Sequence, residues 1–403
     1  MYKTILHLAI KNALLRKTRA ALLIFMIGAS MSFMLSLEGL YDGMTKNMID
    51  MNLRSESGEI SIYAKEYRLK QDIRYSIKNA AKIKEDLAQI GSINSVVSRF
   101  KVSGLIASAK KSYPSDLIGV DFKAEEEFGK ISEFIKKGDL NLGKNGCAVG
   151  KELAKNLKLR LNSKIIFTTQ DANKNIKSKL LRVKAVIQTT NINIDNKAIF
   201  IDIDSVRNFV GVDHGSATQI SIRSQDKNLE QKLKAQYPKL DVLTFAQINP
   251  LLKQMQDMTV VFNTISFSIV MGVVFIGILG VMYVSILERI REFGIMSAVG
   301  YSYSNIRLQV ILESLFLAIL GFLLGSVLSL VSLYYLNSYG LDLKEFADGM
   351  QSFGMSSVIY ADIKIEYFVR TFYAIVFASI ISVFLPLKKI KKLNPVDVIK
   401  AES

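Results

Sequence analysis

The sequence predicts an α-helical membrane protein with four transmembrane helices plus a large α+β extracytoplasmic domain. Three observations carry this. Half of the 403 residues are apolar, yet 22% are charged, too many for a chain lying wholly within a bilayer. The apolar residues gather into four long runs, and an apolar run of ~20 residues spans a hydrocarbon core of ~30 Å. A long polar stretch, 41–257, separates the first run from the second.

Residues 1–19 carry Lys3, Lys11, Arg16, Lys17 and Arg19, with Leu6, Ala9, Ile10, Ala13 and Leu14 at helical spacing on one face. They read as an interfacial amphipathic helix lying on the membrane ahead of the first span, 20–40. The apolar part of that span is longer than a signal-peptide core and no small-residue cleavage site follows it, so it is expected to stay in place.

Residues 41–257 alternate short strands with polar helices. Leu181, Val183, Ala185 and Ile187 alternate with Arg182 and Lys184, and Ile220 and Ile222 alternate with polar neighbours. Lys164–Gln170 and Ala198–Asp202 are further strands, and Asn173-Lys174-Asn175 is a hairpin turn. Helices are predicted over 77–90, 151–159, 204–209 and 226–236.

The second span with its stalk, 258–287, is uncharged and longer than the bilayer core requires. A charged insert, 288–306, follows. Glu288, Arg289, Arg291 and Glu292 form a charged turn, and Gly294 and Gly300 bracket a short apolar helix bearing Ile295 and Val299. Charges flanking a short apolar helix at a membrane face suit docking into a groove of a cytoplasmic protein, or a plain connecting loop. The third span, 307–336, repeats small residues every four positions at Gly321, Gly325 and Ser329, a pattern that lets helices approach closely. Glu313 near its start reads as a carboxylate at the interface. A loop, 337–366, the last span, 367–387, and a basic tail, 388–403, complete the chain.

Orientation follows from basic residues near the span ends. The N-terminal arm, the insert with the residue that follows it (Arg289, Arg291, Arg307) and the tail (Lys388, Lys389, Lys391, Lys392, Lys400) are basic, whereas the loop 337–366 holds more acids than bases. Both termini and the insert are therefore expected in the cytoplasm of a bacterial cell, with the inner membrane spanned and the large domain, Asp171 included, outside.

Chemistry is sparse. Gly143–Lys151 superficially suggests a phosphate loop, but Lys151 is followed by Glu152 and the glycine spacing is wrong. One cysteine, Cys147, and two histidines, His7 and His214, form no metal-ligand pattern, so no metal site is expected. The net charge of +16 with an outward domain suggests membrane lipids or an acidic partner rather than nucleic acid.

The insert Glu288–Gly300 resembles the cytoplasmic coupling segment of ABC-transporter permeases of the MacB/FtsX/LolC–LolE superfamily. The tail Leu393-Asn394-Pro395-Val396-Asp397-Val398-Ile399-Lys400-Ala401-Glu402 is similar to that superfamily's C-terminal signature. Ser57–Ile62, Gly119-Val120-Asp121, Val149–Ala154 with Leu157–Leu159, and Phe245–Pro250 occur in matching order and look most like the lipoprotein-releasing branch. The resemblance implies four spans around a periplasmic domain and a non-enzymatic permease subunit that passes ATP-driven motion to that domain. It implies a cytoplasmic ABC ATPase dimer that holds ATP and Mg, a second permease (itself or a paralogue) and a periplasmic carrier protein, with no cofactor bound directly. Release of lipoproteins from the inner membrane is the function it implies first. Export of an amphipathic drug or peptide, and signalling that activates a periplasmic hydrolase, are the alternatives.

Overall fold

The computed structural model describes residues 2–108, 111–189, 191–346, 349–350 and 355–391, with side chains between 5 and 388. The C-terminal signature 393–402 lies outside the described residues. The chain divides into two units. One comprises Met1–Thr45, Gln256–Asp342 and Val358–Ser403, and the other Lys46–Met255 and Leu343–Ser357.

The chain enters through α1 (Tyr2–Leu15) and, after a bend at Arg16, α2 (Lys17–Asn52). The buried stripe of α1 is Ile5, Ala9 and Ala13, whereas Leu6 and Leu14 are exposed. The predicted apolar face is therefore split. Its small residues pack inward, where Ala allows close approach, and Leu6 and Leu14 face outward.

The second unit contains β1 (Ile60–Ala64), α3 (Tyr67–Lys70), α4 (Ala80–Ala88), β2 (Ile93–Ala107), β3 (Ser112–Val120) and α5 (Phe122–Gly129). β4 (Ile135–Gly138), β5 (Gly146–Gly150), α6 (Lys151–Asn156), β6 (Lys164–Gln170) and β7 (Ile176–Ile187) follow. α7 (Ile192–Lys197), β8 (Ala198–Asp202), α8 (Ile203–Val210), β9 (Gln219–Ser224), α9 (Leu229–Gln236), β10 (Leu240–Thr244) and α10 (Phe245–Ile248) complete it. The ten strands form one sheet in the order β10-β1-β9-β2-β3-β8-β5-β7-β4, with β6 pairing both β2 and β7. Pairing is antiparallel except for β3 with β8 and β5 with β7. Helix starts are set by side chains that accept otherwise unpaired backbone N–H groups: Asp121 for α5, Asn191 for α7 and Asp202 for α8.

Alternation along the strands builds separate cores. Ile60, Ile62, Ile220, Ile222 and Val242 meet Leu87 of α4 and Leu233 of α9. Phe100, Leu117 and Phe167 meet Leu153 of α6 and Val206 of α8. The second core contains Cys147, whose thiol burial pushes up to about 12. At the turn between β6 and β7, Asp171 is buried, and its Oδ1 accepts the N–H of Asn173 at 2.8 Å and of Asn175 at 2.9 Å. It fastens the hairpin from within, whereas Asn173 and Lys174 form the exposed tip.

Arg99 is buried where β2 exchanges partners. Its Nε and Nη2 donate to the Glu125 carboxylate at 2.6 and 2.7 Å, and its guanidinium also reaches the carbonyl of Glu56. That carbonyl accepts from Gln219 and Ser221 as well, so one oxygen ties the π-helical turn Leu53–Ser57 to β9.

Returning to the first unit, the chain forms α11 (Pro250–Glu288), α12 (Ile290–Ala298), α13 (Tyr303–Ser338), a short hairpin of β11 (Leu341–Asp342) and β12 (Val358–Ile359), and α14 (Ile365–Lys391). Pro250 opens α11, where its missing N–H costs no helical bond. Four helices, α2, α11, α13 and α14, are long and apolar enough to cross a membrane. All outlast the apolar runs read from the sequence; the 39 residues of α11 measure about 58 Å at 1.5 Å per residue. Leu23, Ile27, Met31, Val274, Ile278, Val310, Leu317 and Val383 form the bundle core. Phe25, Phe33, Ile276, Val327 and Phe377 point outward, the arrangement that a lipid solvent favours.

Candidate functional site

The insert is built from a helix break. α11 stops at Glu288, Arg289 leaves helical geometry with φ −107° and ψ 15°, and α12 runs from Ile290 to Ala298. Gly300 then takes φ +94°, a left-handed value that a side chain resists, and the Ser302 hydroxyl accepts the N–H of Asn305 at the start of α13.

The eight residues predicted to meet a partner separate into two sets. Glu288 turns back to Arg16 and Arg19 and joins α11 to the start of α2. Arg289 is buried: it donates to Glu313 Oε2 at 3.0 Å and Glu292 Oε2 at 2.9 Å, and its guanidinium lies 5.3 Å from the centre of the Phe293 ring. Gly294 is buried beside Phe293. Glu288, Arg289 and Gly294 therefore do not form a projecting charged surface: the two charges are held by partners within the same bundle, and Gly294 is buried. Arg291, Glu292, Ile295, Val299 and Gly300 are exposed, Val299 at 83%. Glu313 is likewise not at an interface with water. It is 4% exposed and is the buried counter-charge of Arg289.

Gly321, Gly325 and Ser329 line one buried stripe of α13. A Cβ on Gly321 would stand 2.8 Å from Ile27, and one on Gly325 would stand 3.1 Å from the Gly28 backbone, so α13 closes against α2 there. Ser329 Oγ returns its hydrogen to the Gly325 carbonyl at 2.6 Å.

A second polar cluster joins α2, α11 and α14. Asp42 accepts from Asn263 at 2.9 Å, from Lys364 at 2.6 Å and from the Tyr367 hydroxyl at 2.6 Å. One turn earlier, Glu38 takes two bonds from Arg370, whose guanidinium covers the Phe267 ring at 4.3 Å. Gly39 and Gly43 admit the chain at 360–362 here: Gly39 O accepts the N–H of Asp362, and a Cβ on Gly43 would fall 1.9 Å from the Tyr360 carbonyl. This cluster lies outside the residues predicted from the sequence. Its signal is the charges Glu38 and Arg370 inside otherwise apolar runs. Among the described residues no group of three or more His, Cys, Asp or Glu could hold a metal ion.

Four membrane helices, a large α+β domain and a short helix capping two of the spans define a multi-pass membrane protein of permease architecture. The MacB-like periplasmic core domain family matches residues 20–240, more than half of the chain, and the FtsX-like permease C-terminal family matches residues 264–395. The chain belongs to the MacB/FtsX family of permeases. It is 28% identical over 191 residues to the macrolide export ATP-binding/permease protein MacB of Haemophilus ducreyi, which covers 45% of this chain and 24% of that protein. It is 25% identical over 239 residues to an uncharacterized ABC transporter permease of Methanocaldococcus jannaschii, covering 56% of each. A probable syringafactin export ATP-binding/permease protein of Pseudomonas syringae is 32% identical over 122 residues, 30% of this chain and 16% of that protein. The chain thus aligns with little more than half of these relatives at most. Among solved structures, the periplasmic region of MacB from Actinobacillus actinomycetemcomitans is similar with a TM-score of 0.34 and 16% identity, covering 48% of this chain and 92% of that one.

Proposed function

We propose that this chain is the permease subunit of an ABC transporter in a bacterial inner membrane, with both termini and α12 cytoplasmic. ATP and Mg bind a separate ATPase dimer, and the permease pairs with itself or a paralogue. The single observation carrying this is the form of the insert. Ile295 and Val299 project from a short helix whose base is locked to the bundle by the Arg289–Glu313 and Glu288–Arg16 pairs. A small exposed apolar face on a fixed base suits a groove in a second protein, and the base passes displacement of that face into α11, α13 and α2. Arg289, Glu288 and Glu313 are then positioning residues, and Glu292, Ile295 and Val299 make the contact.

The substrate follows less directly. The order of short motifs in the large domain supports lipoprotein release to a periplasmic carrier. The relatives named for macrolide and syringafactin export support outward movement of an amphipathic drug or peptide. Both readings place an amphiphile at the outer half of the bundle.

The test is affinity purification of the tagged chain from its own membranes, with ATPase recovery measured. Glu292→Lys combined with Val299→Asp puts an unpaired charge at the contact, which typically costs ~2–5 kcal/mol at an interface. Recovery of the ATPase should fall more than about tenfold while expression is unchanged. Recovery equal to the parent would exclude α12 as the docking element. Co-purifying lipoproteins, or their absence, separates the two substrate readings.

A further inference from the structure

The large domain carries a groove of about 950 Å³ between β4 and α6 with its following loop. Its basic side chains are Lys136 and Lys137 on β4, Lys151 and Lys155 on α6, and Lys158 and Arg160 on the loop. Among the described residues no carboxylate lines it. Glu152 sits beside Lys155 at 3.9 Å. Leu159, Leu161 and Val186 supply an apolar floor between the cations, and Leu161 is 42% exposed. We propose that this groove binds a single anionic phospholipid-like amphiphile, with its phosphate among the lysines and Arg160 and its alkyl chains on the leucines.

The charge argues for an anion. A cleft lined by one sign of charge focuses its field and concentrates counter-ions, and Lys and Arg are the usual partners of phosphate oxygens. A different explanation accounts for part of the set: β4 is the last strand of the sheet, and lysines on an open edge discourage strand addition. It covers Lys136 and Lys137 only. Lys158 and Arg160 follow α6 and belong to no strand, so they protect no backbone ladder of their own, and Leu157 beside them is anchored in the core.

The shape argues for an amphiphile rather than a peptide. β4 is four residues long, its register shifts between Ile135 and Lys137, and it carries two lysines, so a peptide gains little by pairing with it. The volume lies at the upper end of the range for small-molecule sites. An apolar floor ringed by long cationic side chains, whose methylene stems are themselves apolar, matches a molecule with a charged head and a greasy body.

The experiment uses the full chain in an uncharged maltoside detergent and measures equilibrium binding of dihexanoyl phosphatidic acid, dihexanoyl phosphatidylcholine, inorganic phosphate and hexaglutamate. Phosphatidic acid should bind at least tenfold more tightly than the other three and weaken as salt rises. The variant Lys136→Gln/Lys158→Gln/Arg160→Gln should bind it at least tenfold more weakly, with Cys147 still unreactive to thiol reagents, which verifies the adjoining core. Inorganic phosphate binding as tightly as phosphatidic acid would overturn the amphiphile in favour of a simple anion site. Tighter binding of hexaglutamate would overturn it in favour of an acidic protein segment. Unchanged binding by the triple variant would show that the lipid binds elsewhere and overturn the site. Should that variant lose its fold, Leu161→Asp alone carries the test. It should weaken phosphatidic acid at least tenfold while leaving Cys147 protected, and parental binding by it sinks the proposal.

Discussion

Arg289 lies with Nη1 3.0 Å from Glu313 Oε2, the two side chains only 10% and 5% exposed. The pair joins the break after α11 to the third turn of α13, so the orientation of α12 is set by a buried ion pair rather than by its own short helix.

Removing one partner of that pair leaves a buried charge uncompensated, which typically costs ~3–5 kcal/mol. Glu313→Leu and Arg289→Met should each lower the melting temperature of the detergent-solubilised chain. The double variant, which removes both charges, should recover most of the loss. Equal loss in single and double variants would mean that the pair is not the fastening.

Close approach of α2 to the chain after β12 rests on Gly43, where a Cβ would meet the Tyr360 carbonyl at 1.9 Å. A backbone oxygen cannot rotate away. Gly43→Ala should therefore destabilise by ~1–3 kcal/mol or more, in the manner of an overpacked core. Gly272, with nothing within 4 Å of its Cβ position, is the control: alanine there should be neutral or add up to ~1 kcal/mol through helix propensity. Thermal unfolding of both variants distinguishes them.

Gly300 ends the insert at φ +94° with open space around it. Only the backbone resists a side chain there, at a cost of ~1–2 kcal/mol or more for a β-branched residue. Gly300→Val should impair ATPase recovery or coupled hydrolysis without changing membrane insertion, and Gly300→Asn should do less harm. Identical behaviour of the two would remove the backbone conformation from the account.

Burial pushes the Cys147 thiol up to about 12, so it carries almost no thiolate at neutral pH. Cys147 should resist maleimide in the folded chain and react once the chain is unfolded. A cysteine introduced at the exposed hairpin tip, Asn173→Cys, should then report topology against a silent background. Labelling by an impermeant reagent in intact cells is expected; protection there would reverse the proposed orientation.

The architecture was legible in the sequence because its signals are local. Apolar runs longer than a bilayer and the alternation at Leu181–Ile187 and Ile220–Ile222 need no knowledge of partners. The strands β2 and β3 are not legible, since Ser and Lys interrupt the apolar alternation of β2 and Ser, Pro and Asp that of β3; the two pair with each other as a hairpin, but their outer partners, β9 and β8, lie far along the chain. The insert was legible as an element but not as a surface. Nothing in Glu288-Arg289-Ile290-Arg291-Glu292 distinguishes the arginine that turns inward from the one that stays out. That choice depends on Glu313, which belongs to another helix. The stripe Gly321, Gly325, Ser329 follows from periodicity, whereas the tighter contact at Gly43 is made with a loop carbonyl and has no period to find.

β2 has one further consequence. From Ile93 to Arg99 it pairs with β9, and from Phe100 to Ala107 with β3, joined by β6 over its last three residues. A single covalent strand therefore runs through both halves of the sheet. Tension along that strand loads its ladders in shear, with many hydrogen bonds resisting together, rather than peeling them one at a time. The two halves cannot part like the shells of a clam. They are joined by covalent backbone as well as by hydrogen bonds, and the Arg99–Glu125 pair is seated at the crossing where β2 exchanges β9 for β3.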